Sequence, residues 1–134
     1  MLKRYLIVAC SLLTFGTALA DAPVFGLLRV EPTEVPVLQP TVIHFTARVA
    51  SDKDHPLSYV KLTRLQWSGN DRAVARMYDN GSHGDQHKND GLYSCTLKLK
   101  EPIIGILSFK VEVRYKGARM SIMSDPMFVN VVGG

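Results

Sequence analysis

The 134-residue chain is poor in cysteine, with only Cys10 and Cys95, and carries a single tryptophan. Beyond its first twenty residues no apolar run reaches the ~18 to 20 residues that a bilayer-spanning helix needs. Several motifs are missing as well. There is no Gly-rich phosphate loop, no dinucleotide fingerprint, no nucleophile elbow and no EF-hand spacing, so nothing points to nucleotide chemistry or to a hydrolase of the elbow type. Charge of one sign is also scarce. The formal charge is +4, and Lys3 and Arg4 account for two of those charges while every acidic residue lies from Asp21 onward. The weak remainder gives no ground for a nucleic-acid partner.

The N-terminus is best read as an address. Lys3 and Arg4 precede an apolar run from Tyr5 to about Leu19, and Ala18-Leu19-Ala20 supplies a small-x-small cleavage pattern. Residues 1–20 are therefore expected to be a signal peptide, cleaved after Ala20, leaving one domain over 21–134 in the periplasm or outside the cell. Ile7-Val8-Ala9-Cys10 offers lipidation at Cys10 as an alternative, but it sits near the start and the apolar run continues past it. With Cys10 removed, only Cys95 remains and no intramolecular disulfide can form. A domain of this size can fold on its apolar core alone.

Alternation dominates the rest. Ile43, Phe45, Ala47 and Val49 fall on one face of 41–49; Tyr93, Cys95, Leu97 and Leu99 on one face of 93–100; Leu107, Phe109, Val111, Val113 and Tyr115 on one face of 107–116. A period of two is the mark of half-buried strands. Weaker signals at 60–67, 73–78, 119–123 and 127–132, punctuated by Pro32, Pro36, Pro40 and polar loops, complete an all-β pattern with no capped helical period. The expectation is an immunoglobulin-like antiparallel β-sandwich of about seven strands. Trp67 and Cys95 are read as core residues, and Tyr93, two before Cys95, as the tyrosine that braces a corner.

One loop stands apart. Asp79-Asn80-Gly81-Ser82-His83-Gly84-Asp85, four further residues, then Asp90-Gly91-Leu92-Tyr93 resembles the D-[DN]-G-x-x-G-D-x4-D-G-x-Y signature of bacterial secreted Ig-like modules called choice-of-anchor X domains. That resemblance implies an exported Ig-like module without a defined activity. The carboxylates of Asp79, Asp85 and Asp90 have two readings. They can wrap a calcium ion with hard oxygen ligands, or they can accept backbone N–H bonds and hold the turn. His83 and His87 are spaced for a shared metal only on a helix, and are read as exposed.

Outward phases of two consecutive strands carry Lys98, Lys100, Lys110, Arg114 and Lys116. If those strands pair, they form one basic face suited to an anionic partner; otherwise the side chains are ordinary solvated lysines and arginines. No convergent nucleophile, base and orienting group is apparent. The sequence-level expectation is thus a non-catalytic Ig-like binding or scaffolding module for an unknown protein or cell-envelope partner, with no cofactor unless calcium fills the loop. A calcium-binding adhesion domain and a small periplasmic enzyme are the alternatives.

Overall fold

The computed structural model describes residues 23–79 and 91–133. The expected signal peptide and its cleavage site, Cys10, and loop residues 80–90 lie outside the described residues. Nine strands are present among the described residues and no helix: β1 Phe25–Glu31, β2 Glu34–Pro36, β3 Thr41–Val49, β4 Leu57–Arg64, β5 Arg72–Arg76, β6 Leu92–Leu99, β7 Gly105–Tyr115, β8 Ile122–Met123 and β9 Met127–Val132. They form two sheets. One has the order β1-β3-β6; the other runs β2-β9-β7-β4-β5, with the two-residue β8 also against β7. All pairings are antiparallel except β2 with β9, which is parallel.

The alternation in sequence maps directly onto burial. Ile43, Phe45 and Ala47 of β3 are fully buried, as are Phe109, Val111 and Val113 of β7 and Val129 of β9. These inward residues from the two sheets form the core that each sheet must bury. Phe45 and Phe109 meet across it, ring centroids 4.9 Å apart and planes tilted by 58°, a geometry that suits the aromatic quadrupoles. Cys95 lies in the same core. Burial pushes its thiol up to about 12, which keeps it protonated and unreactive.

Between β5 and β6 the chain passes from one sheet to the other. The Met77 amide still donates to Val60 of β4 at 2.8 Å. One residue on, Tyr78 and Ser94 exchange backbone bonds of 2.9 Å in both directions. This crossing closes the sandwich on one side at that level.

Two expectations change. The tyrosine that braces a corner is Tyr115 rather than Tyr93: its hydroxyl donates to the Ala50 carbonyl at 2.6 Å, across 65 residues. Trp67 is not in the core. β4 ends at Arg64, the loop that follows turns away, and Trp67 is fully exposed. The last strand, β9, alternates cleanly, with Phe128 outward and 53 % exposed between buried Met127 and Val129.

Candidate functional site

The acidic loop begins at Asp79, whose Oδ2 accepts the Gly91 N–H at 2.8 Å. Gly91 has φ +80°, a left-handed backbone that suits glycine at this turn. Asp79 thereby pins the two ends of the loop together. Tyr93 beside it has its hydroxyl pushed up, first by burial and then by the Asp79 charge. Asp85 and Asp90 lie outside the described residues, as do His83 and His87. Among the described residues no group of three or more His, Cys, Asp or Glu is placed to hold a metal ion.

The five basic residues do not come together. β6 pairs with β3 in one sheet, and β7 with β4, β8 and β9 in the other. Lys98 therefore stands on the three-stranded sheet with Lys100 just past the end of its strand, while Lys110 and Arg114 project from the opposite outer face and Lys116 lies in the turn after β7. Arg114 is further drawn into the turn after β7, its guanidinium donating to the carbonyls of Ala118 and Arg119 at 3.0 Å each. Two strands consecutive in sequence need not be neighbours in a sandwich, and here the chain crosses the core between them.

A different region attracts attention: the end of the sandwich where β6 stops and β7 begins. The loop between them carries Ile103, 75 % exposed, and Ile104, 62 % exposed. The turn before β3 is tied to this loop by the Leu38 amide, which donates to the Glu101 carbonyl at 2.8 Å. Leu38 itself is 60 % exposed and holds φ +66°. A non-glycine residue in that region costs about 1 kcal/mol. The loop after β4 reaches the same end, because the Leu65 amide donates to Ser108 of β7, and it carries the exposed Trp67. Gln66 and Gly69 close that loop, the former donating to the Asp71 carboxylate at 3.0 Å. Ile106, also exposed, opens the outer face of β7 next to it.

These apolar tips sit beside cations. Val42 of β3 is directly opposite Lys98 of β6, and Lys100 follows at the strand's end. Arg72 begins β5, directly opposite Arg64 of β4. Arg64 is already committed: it meets Glu101 through two bonds of 3.0 and 2.7 Å. That guanidinium holds the Glu101 carboxyl below its ordinary value. Sequence reasoning missed this end. The signal it overlooked is the pair Ile103-Ile104 between Pro102 and Gly105, two large apolar residues inside a turn-like segment.

No family model matches the chain, and no curated protein matches it by sequence. Among solved structures, a superoxide reductase (neelaredoxin) from Ignicoccus hospitalis is similar, with 15 % identity, 87 % of this chain and 89 % of that chain covered, and a TM-score of 0.47. Set beside a chain named for an enzyme, the expectation of a non-catalytic binding or scaffolding module is withdrawn, since the all-β pattern it rested on is no ground for excluding chemistry. A likeness at this level transfers no activity to the present chain.

Proposed function

We propose that this domain seats one end of its sandwich, the end bearing Leu38, Trp67, Ile103 and Ile104, in the surface of an anionic bilayer. The observation that carries the reading is the concentration of exposed large apolar side chains on three separate loops at that one end. Soluble domains rarely expose such groups together without a surface to cover them. The tips project from turns rather than forming a flat patch, which suits penetration between lipid headgroups. Tryptophan is at home at that depth.

Charge favours the same partner. Lys98, Lys100 and Arg72 flank the tips, and each basic group near an anionic leaflet is worth about 1 kcal/mol. Fully burying a leucine- or isoleucine-sized side chain adds roughly 1.5 to 3 kcal/mol. Leu38 gives separate support, since an apolar residue kept outward in a backbone conformation that favours glycine has a local cost with no return in packing. No helix of the described residues is long and apolar enough to cross a membrane.

Two further readings accompany this one. An immunoglobulin-like classification is supported by the strand order, with the short β2 running parallel to the last strand while β1 joins the opposite sheet. Export, read from residues 1–20, would set the domain against the outer side of the cytoplasmic membrane or another envelope leaflet. The test of the bilayer reading is co-sedimentation with vesicles. Binding to phosphatidylglycerol–phosphatidylcholine vesicles, absent with phosphatidylcholine alone and lost in Ile103→Ser/Ile104→Ser, is the expected result. Equal recovery of wild type and that variant with the vesicles would sink it.

A further inference from the structure

Below the Tyr78–Ser94 crossing the two sheets part, and a cleft of about 410 Å³ lies above the crossing while a separate one of about 330 Å³ opens below it. The lower cleft runs between β5 and the end of β6. Its walls are apolar: Val74 on one side, Leu97 and Leu99 on the other, with Arg64 and Arg72 at its rim. Arg64 and Arg72 are directly opposed across β4 and β5.

We infer that this cleft binds an alkyl carboxylate, its carboxylate on Arg72 and its chain between Val74, Leu97 and Leu99. Two guanidiniums share the rim, and a single carboxylate, Glu101, answers Arg64. The neighbouring Asp71 carboxylate is turned to the Gln66 amide. Among the described residues one positive charge is therefore left facing a cleft lined by apolar side chains. Lys98 and Lys100 are on the outward phase of β6 and do not enter it. Arg64 also has donors left over after Glu101, because a guanidinium carries five N–H groups and two are used. An incoming carboxylate can thus bridge both arginines, with Arg64 held in position by Glu101.

Each half of the ligand has a separate reason. A bare inorganic anion would leave the partly exposed Val74 and Leu97 facing water, and a neutral alkyl group would leave Arg72 without a counter-charge. A carboxylate on a short alkyl chain satisfies both, in the manner of ligand pockets that combine apolar walls with a few placed polar groups. The inference is separate from the bilayer reading: it concerns a soluble ligand, and Arg72 alone is common to the two sets of side chains.

Titration of the ¹⁵N-labelled domain with octanoate below its micelle concentration tests it, read by amide shifts. Saturable shifts confined to Arg72, Val74, Leu97 and Leu99 are expected. Octanol and acetate should each bind at least tenfold more weakly. Arg72→Gln should weaken octanoate about tenfold, as expected for loss of a charge-assisted bond, and Arg72→Glu should abolish it, both with the remaining spectrum unchanged. Octanoate that moves none of these amides, acetate that titrates as well as octanoate, or Arg72→Gln that binds like wild type would each overturn the inference.

Discussion

Glu101→Gln should destabilise the domain by about 2 kcal/mol, and the reasoning can be followed in the geometry. Glu101 accepts two N–H bonds from one guanidinium, at 3.0 and 2.7 Å, and the two side chains are only 23 % and 15 % exposed for Arg64 and Glu101. A hydrogen bond to a charged group contributes about 1.5 to 3 kcal/mol. Glutamine keeps one acceptor but loses the charge and the second bond. Partial exposure holds the loss below the roughly 3 to 5 kcal/mol seen when a fully buried pair is broken. For a domain of this size that corresponds to a fall of about 8 °C in melting temperature.

The pH dependence is diagnostic. A carboxyl held below its unfolded value stabilises the fold above that value and loses its contribution as pH falls through its folded value. Arg64 lowers Glu101 from 4.5. The gap between wild type and Glu101→Gln should therefore be constant from pH 7 to about 5 and close progressively below 4.5. Replacing both partners by Arg64→Met/Glu101→Leu should recover most of the loss, because it removes the desolvated charges together. Urea unfolding at several pH values measures all three proteins. A Glu101→Gln variant within 0.5 kcal/mol of wild type at pH 7, or a gap that persists at pH 3 (about 0.5 kcal/mol being the scatter for neutral surface changes), would refute the argument.

Other outcomes follow from single side chains. The Thr63 hydroxyl is buried without a hydrogen-bond partner among the described residues, so Thr63→Val should raise stability by about 1 kcal/mol in urea unfolding. Leu38→Gly should leave stability unchanged or raise it by up to about 1 kcal/mol, since φ +66° suits glycine, while weakening vesicle binding. Cys95 should resist a thiol-specific reagent in the native protein and react fully in denaturant, in keeping with burial and a thiol pushed up to about 12. Asp79→Ala removes the acceptor of the Gly91 amide and should cost about 1 kcal/mol; a melt with millimolar calcium and then EGTA tests the loop's calcium reading separately.

The faces of the strands were legible in sequence, and their partners were not. A period of two states which residues of β3 and β7 turn inward, and Ile43, Phe45, Phe109 and Val111 all do. It is silent on which strand lies next to which. The chain crosses the core between Lys100 and Gly105, so basic residues that look adjacent in sequence end on opposite faces. Trp67 shows a related limit: hydrophobicity suggested burial, but the strand that would have carried it inward ends three residues earlier. The all-β class came from patterns that each strand repeats. The candidate docking end is assembled from three loops distant in sequence, and only the fold brings Leu38, Trp67 and Ile103 to one place. Of the three carboxylates of the acidic loop, prominent in sequence, Asp79 is the one among the described residues.

Trp67 is also the protein's single tryptophan, and it stands at the end proposed to enter the bilayer. Its fluorescence on titration with phosphatidylglycerol-containing vesicles tests the proposed function most directly. A shift of emission to shorter wavelength, with quenching by lipids brominated along the acyl chain, is the predicted result. Emission that stays at its fully hydrated wavelength at saturating lipid would contradict it.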